Sequence, residues 1–193
     1  AIIPARGGSK RIPNKNIKDF LGKPIIAYSI ETAIKSNIFD KIIVSTDSSA
    51  IAEVSIKYGA EVPFVRPNEI ANDTATTDEV IIHSLKWLKA NNMHYNYVCC
   101  IYPTAPFLQI EYLIEGFESL IKYNSVSAFS VTTYPYQIFR SLKMKDNNRI
   151  EMIWPEYFKT RSQDLPQTYH DAGQFYWGKI DKYLQEKKFF CSD

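Results

Sequence analysis

Short β-branched apolar runs alternate along this chain with longer stretches that carry the apolar period of a helix, and few folds accept that pattern. Ala1-Ile2-Ile3-Pro4 and Lys41-Ile42-Ile43-Val44-Ser45 read as strands, as do residues 62–65, 95–102 and 125–131. A helix is predicted from Pro24, whose fixed φ suits a first helical position, through Ile25, Ile26, Tyr28, Ile30, Ala33 and Ile34. A second runs through Ile51, Ala52, Val54, Ile56 and Tyr58 and closes at Gly59. A third covers 75–89, with Val80, Ile81, Leu85 and Leu88 on one face, and a fourth covers 110–122. Parallel strands need crossovers of this length, so the expected class is α/β: a Rossmann-like, mostly parallel sheet with helices on both faces.

One stretch breaks the alternation. Residues 132–167 hold Pro135, Pro155 and Pro166 among many aromatics, with no clean period, and are expected to form an inserted arm or antiparallel excursion. A return strand over 173–178 and a polar helix from Lys179 follow, so a single domain over 1–193 carrying one insertion is predicted. The chain starts in mid-strand without Met and stops at Asp193 without a closing element, so a longer gene product is expected.

Composition narrows the partners. Lys+Arg number 23 against 21 Asp+Glu, too even for a protein that coats nucleic acid by bulk charge. No apolar run approaches the ~18–20 residues of a membrane span. Cys99, Cys100 and Cys191 make a poor disulfide framework and lack zinc spacing; buried thiols in a reducing, cytoplasmic compartment are expected. His83 on a helix and His94 in a loop read as ordinary core or surface histidines.

The charge is unevenly spread. Residues 1–23 carry six Lys or Arg and one acid, whereas the remainder carries 17 against 20. The basic residues cluster in the loop after the first strand, Ala5-Arg6-Gly7-Gly8-Ser9-Lys10-Arg11-Ile12-Pro13-Asn14-Lys15-Asn16. Ligands of open parallel sheets bind beyond the carboxyl ends of the strands, where this loop lies. Adjacent glycines let backbone N–H groups approach an anion, Arg6 can grip two oxygens, and Lys10 and Lys15 act as point charges. A polyphosphate suits such a cluster. Neither the Gly-Lys-Ser/Thr of a P-loop nor G-x-G-x-x-G is present.

Further along, Arg66-Pro67 follows the third strand and Asp73-Thr74-Ala75-Thr76-Thr77 precedes a helix, where it reads as a helix cap. Asp47 is expected to cap the helix after the second strand. Tyr102-Pro103-Thr104-Ala105-Pro106 forms a stiff loop at the end of the strongest strand. His170-Asp171, with Gln174 nearby, could serve acid–base chemistry or bind sugar hydroxyls, and sugar recognition is favoured.

These motifs together resemble the CMP-sialic acid synthetase family of cytidylyltransferases. The resemblance runs through Ile3-Pro4-Ala5-Arg6-Gly7-Gly8-Ser9-Lys10-Arg11-Ile12-Pro13, Lys15-Asn16, Phe20-Leu21-Gly22-Lys23-Pro24 and Val44-Ser45-Thr46-Asp47. It continues through Arg66-Pro67, Asp73-Thr74-Ala75 and Pro103-Thr104-Ala105-Pro106. The segment from Gln167 to Trp177 is most similar to the branch that activates pseudaminic acid.

What the resemblance implies is a fold of the nucleotide-diphospho-sugar transferase type with a dimerisation arm, and a reaction joining CTP to a nine-carbon sugar acid. The nucleotide would contact Arg6, Gly8, Ser9, Lys10, Asn16, Arg66, Ala75, Thr77, Pro103 and Thr104, with Lys15 and Arg6 acting on the transferred phosphate. The sugar would contact Tyr102, Arg161, Gln163, His170, Asp171, Gln174 and Tyr176. Tyrosine at 102, where sialic acid enzymes commonly have glutamine, points away from N-acetylneuraminate. Magnesium is implied as cofactor, but the family's Asp-x-Asp is absent from these 193 residues, so its ligands are expected beyond Asp193. A related CMP-sugar-acid synthetase and a non-catalytic CTP-binding module are the alternatives.

Overall fold

Neighbouring residues on the strands bury toward opposite sides of one sheet, and this decides the architecture. The structure, a computed structural model, describes residues 1–190; Cys191 and Asp193 lie outside them. In chain order come β1 (Ile2–Pro4), a small hairpin of β2 (Asp19–Phe20) and β3 (Lys23–Pro24), α1 (Ile25–Ser36), β4 (Ile43–Ser45) and α2 (Ser49–Lys57). Then follow α3 (Thr77–Ala90), β5 (Tyr97–Ile101), α4 (Ile110–Lys122), β6 (Ser127–Thr133), β7 (Leu142–Met144), β8 (Ile150–Met152), β9 (Tyr169–Lys179) and α5 (Ile180–Glu186). The main sheet has the order β4-β1-β5-β9-β6, with β1 parallel to both β4 and β5, and β9 antiparallel to β5.

Ile3, Val44, Cys99, Ile101, Phe175 and Trp177 face one layer, with α1 (Ile26, Ile30, Ala33), Ile51 of α2 and α4 (Leu113, Leu120). Ile2, Ile43, Val98, Cys100 and Tyr176 face the other, with α3 (Ile81, Leu85, Leu88) and Tyr183 of α5. Cys99 and Cys100 thus point to opposite layers, and burial pushes both thiols well above the usual range, which leaves them inert. The Trp177 indole stacks on Phe39 at 5.1 Å and donates its N–H to the Leu113 carbonyl at 3.0 Å.

Two expected boundaries shift for identifiable reasons. The strand expected at 62–65 is reduced to isolated parallel bridges, Ile43 to Glu61 and Thr46 to Val65, because Pro63 between them has no N–H for a ladder. The helix expected from residue 75 starts at Thr77, because Thr76 caps it.

The chain divides into two compact units: Ala1–Ser130 with Gly173–Asp193, and Val131–Ala172. The second covers the aperiodic stretch and extends it to 172. Within it β7 and β8 pair antiparallel, with Leu142 opposite Met152, Lys143 opposite Glu151 and Met144 opposite Ile150. One hairpin face carries Lys143–Glu151 at 3.0 Å, and the other leaves Leu142, Met144 and Ile150 mostly exposed. Phe139 packs against Trp154 and Tyr157, an aromatic cluster that needs no sequence period. Among the described residues no helix is long and apolar enough to cross a membrane.

Gly116 sits inside α4, where alanine would ordinarily be the better helix former. A Cβ there would meet the buried Phe175 ring at 2.7 Å and Trp177 at 3.2 Å. Gly116→Val is therefore expected to destabilise the protein by about 2–3 kcal/mol, read as a lower urea midpoint at unchanged slope.

Candidate active site

Parallel pairing brings the carboxyl ends of β1, β4 and β5 together, and three loops leave the sheet there. The Arg66 N–H donates to the Thr46 carbonyl at 2.8 Å, adding a fourth segment to the same edge. The resulting cleft, all within the first unit, measures about 710 Å³, ample for a small-molecule ligand. Its walls contain Arg6, Ser9, Lys10, Arg11, Lys15, Asn16, Arg66, Asp73, Ala75, Thr77, Tyr102, Pro103 and Thr104. Five cationic side chains and one carboxylate therefore share it. Of the expected nucleotide residues, all but Gly8 line this wall.

The cations are held by quite different means. Arg66 is only 4% exposed; its Nε donates to Ser45 Oγ at 3.1 Å and its Nη2 to the Ser45 carbonyl. No carboxylate pairs with it among the described residues. Burial pulls its pKa down to about 10, with Arg6 adding and Asp47 opposing, so it stays charged at neutral pH. Lys15 stands at the start of a short 3-10 turn, Lys15–Ile17, is half-buried, and also has no ion-pair partner among the described residues. Asn16 is 4% exposed and donates from Nδ2 to the Arg6 carbonyl at 2.9 Å, while its Oδ1 is buried with no hydrogen-bond partner. A buried bare acceptor on a cleft wall is suited to a ligand hydroxyl.

Asp47 does not cap the helix after β4; Ser48 does, its Oγ accepting from Ile51 N at 3.5 Å. Asp47 instead accepts the Gly7 N–H at 2.8 Å and so ties the glycine loop to β4. Gly7 is required by this closeness, since a Cβ would meet Ser48 Cβ at 3.0 Å, whereas a Cβ on Gly8 would meet nothing within 4 Å. Neither residue has the positive φ that a glycine pair suggests.

The stretch before α3 is a cap in fact. Thr76 accepts from Glu79 N at 3.2 Å and its own N–H donates to Glu79 Oε2 at 2.7 Å, a reciprocal box. Upstream, Asn72 Oδ1 accepts from Thr74 N at 2.9 Å and from Ala75 N at 2.8 Å. Both turns fix Ala75 and Thr77 on the wall. Asp73 lies within the Asn72 turn, 2.7 Å from Arg6 Nη2 and paired with Lys10; Lys10 first and Arg6 next hold its carboxyl below the usual range. Asp73 and Ser45, which carry no assigned role in the sequence motifs, are the contact partners of these cations. The Asn-Asp-Thr turn signature was the available signal.

The expected sugar residues divide between the two units. Tyr102 lines the cleft; its N–H donates to the Gln174 carbonyl and its own carbonyl accepts from the buried Ser29 hydroxyl. Tyr176, expected in the sugar pocket, is corrected to a core residue: it is 2% exposed beneath Tyr102, ring to ring at 5.2 Å, because its strand position faces the α3 layer. Arg161, Gln163, His170 and Asp171 belong to the second unit. There Arg161 pairs with Asp164 at 2.6 Å, His170 Nδ1 lies 2.9 Å from the Asp171 carbonyl, and the His170 ring packs on Tyr134 at 4.7 Å.

A family model for cytidylyltransferases matches residues 1–193. The chain belongs to the cytidylyltransferase family. It is 46% identical over 189 residues, 98% of this chain and 82% of the other, to the pseudaminic acid cytidylyltransferase of Campylobacter jejuni. It is 35% identical to the N-acylneuraminate cytidylyltransferase of Escherichia coli, over 98% of this chain and 44% of that one. Among solved structures, a CMP:2-keto-3-deoxy-manno-octonic acid synthetase complexed with CTP shares the fold at TM-score 0.72 and 16% identity, over 99% of this chain and 78% of that one. As a cytidylyltransferase the protein is a nucleotidyltransferase, of mixed, mostly parallel α/β architecture.

The Asp47–Gly7 contact is a charge-assisted hydrogen bond between two loops. Asp47→Ala is expected to lower stability by about 1.5–3 kcal/mol in urea titrations, with Asp47→Asn, which keeps an acceptor, losing less.

Proposed function

We propose that this cytidylyltransferase activates pseudaminic acid, joining it to CMP from CTP and releasing pyrophosphate. The observation that carries the reading is the cleft itself, where Lys15 and the buried Arg66 stand beside Arg6 and Lys10 at the carboxyl edge of the sheet. The 46% identity to a pseudaminic acid cytidylyltransferase supports the choice of sugar, as does tyrosine at position 102.

Each role follows from the chemistry of its side chain. Arg66 presents planar donors to the acceptors of cytosine, with main-chain atoms near Ala75 and Thr77 completing the edge. Asn16 Oδ1 accepts a ribose hydroxyl. Arg6, Lys10 and Lys15 neutralise the triphosphate while Ser9 donates a hydrogen bond to it, and Lys15 stabilises charge on the transferred phosphate. The anomeric hydroxyl of the sugar acid attacks the α-phosphorus in line; the new P–O bond forms as the bond to pyrophosphate breaks. By the resemblance, Tyr102 and Gln174 would contact the sugar; for Arg161, Gln163, His170 and Asp171 of the second unit that role rests on the resemblance alone.

Magnesium, implied by the resemblance, would take the triphosphate oxygens as ligands. The described residues do not form a cage for it: Asp73 is the sole carboxylate on the cleft wall and two cations hold it, so no step is assigned to the metal. The reading places the enzyme in the cytoplasm, where CTP is available, as a homodimer built on the exposed Leu142–Met144–Ile150 face of the second unit. Sedimentation at assay concentration should give twice the chain mass, and a monomer there would remove the dimer.

Pyrophosphate release from CTP with pseudaminic, N-acetylneuraminic, legionaminic and 3-deoxy-octulosonic acids tests the substrate. Pseudaminic acid should give the highest kcat/KM, and preference for another acid would overturn that assignment. Lys15→Ala should retain its fold and lose kcat by roughly a hundredfold or more, corresponding to about 3 kcal/mol. Turnover like wild type would remove Lys15 from the phosphate.

A further inference from the structure

Two of the phosphate-site cations already share an anion within the protein. Asp73 Oδ1 lies 2.7 Å from Arg6 Nη2, and its Oδ2 pairs with Lys10 Nζ, so one carboxylate bridges two cations much as a phosphate would. Lys15 and Arg66, on the same wall, are left outside this bridge.

Asp73 is held in place by its surroundings. Asn72 Nδ2 donates to the Glu69 carbonyl at 2.9 Å, and Asn72 Oδ1 accepts from Thr74 Oγ1 at 2.8 Å and Ala75 N at 2.8 Å, so the backbone on both sides is tied down. The capping box of α3 begins three residues later. The carboxylate is thus carried on the segment that bounds the base side of the cleft and reaches across to the loop after β1. Asn72 needs no help from the Asp73 side chain to make its turn, so structural demand does not account for an acid here.

We propose that Asp73 is a built-in competitor for the polyphosphate: it occupies Arg6 and Lys10, is displaced by a triphosphate, and retakes both cations as pyrophosphate leaves. The inference rests on reading the cleft as a CTP site. Its physical basis is that exposed ion pairs are individually weak, and Lys10 and Asp73 are 83% and 40% exposed, so a polyanion displaces the carboxylate. The same carboxylate repels bound phosphate, which speeds departure of the product and limits its rebinding. Only ion pairs exchange, so no bond is made or broken and no co-reactant is needed.

Calorimetric titration of wild type and Asp73→Asn with CTP, inorganic pyrophosphate, inorganic tripolyphosphate and cytidine at low salt tests this. Asp73→Asn should bind tripolyphosphate, pyrophosphate and CTP roughly three- to tenfold more tightly, while cytidine, which has no phosphate, is unchanged. Asp73→Glu should return affinities to within about twofold of wild type. The gain should shrink as salt rises. Unchanged or weaker tripolyphosphate binding by Asp73→Asn, or an equal gain for cytidine, overturns the competitor. Asp73→Ser repeats the comparison if the asparagine variant melts early. If the wild type binds no CTP, the functional reading falls and this inference with it. If the wild type binds CTP and Asp73→Asn binds it no better, the competitor alone falls.

Discussion

Five positive side chains around a cleft with one carboxylate repel each other, and the first unit is organised to keep them together. Arg66 is the extreme case. Its guanidinium is buried without an acidic partner among the described residues, an arrangement that costs free energy unless donors find acceptors, and Ser45 supplies two through its hydroxyl and carbonyl. Asp47 anchors the loop that carries Arg6, and Asn16 ties the far end of that loop to the Arg6 carbonyl. Of the cations, Arg66 is fixed by neutral oxygens, whereas Arg6 and Lys10 are held by the Asp73 carboxylate.

The sheet makes this possible by sparing its edge. Both layers of core come from the strand interiors, with Ile2 and Ile3, Ile43 and Val44, Val98 and Cys99 dividing between them. The loops that leave these strands carry the cleft side chains, and the same loops bury Ala5, Ala105 and Leu108 in the core. Ser29, from the middle of α1, holds the Tyr102 carbonyl, so packing of that helix sets the position of a cleft loop. Tyr183 of α5 donates to Asp78 in the first turn of α3 at 2.7 Å, beside Thr77. Stability of the layers and geometry of the cleft are linked through these buried hydroxyls.

Much of the architecture was readable in advance because hydrophobic period is a local property. The helices at 25–36 and 110–122 and the strands near 2–4, 43–45 and 97–101 all declare themselves through it. Pro63 and Thr76 shifted boundaries locally, but two misread side chains depended on a neighbour distant in sequence. Asp47 looks like a helix cap until Gly7, 40 residues away, is seen to take its carboxylate. Tyr176 looks like a pocket residue until the register of β9 on β5 turns it into the α3 layer.

By itself, then, the sequence determined the layered α/β class, the loop that carries the phosphate-type charge and the family to which those motifs belong, because period, composition and motif are written in contiguous residues. Only the tertiary structure decided that Arg66 is buried against Ser45, that Asn16 keeps a bare acceptor, and that Asp73 bridges Arg6 and Lys10. The Arg66 and Asp73 pairings span 21 to more than 60 positions, and burial and charge partners at such range are set by how the strands and loops are brought together, which no local pattern records.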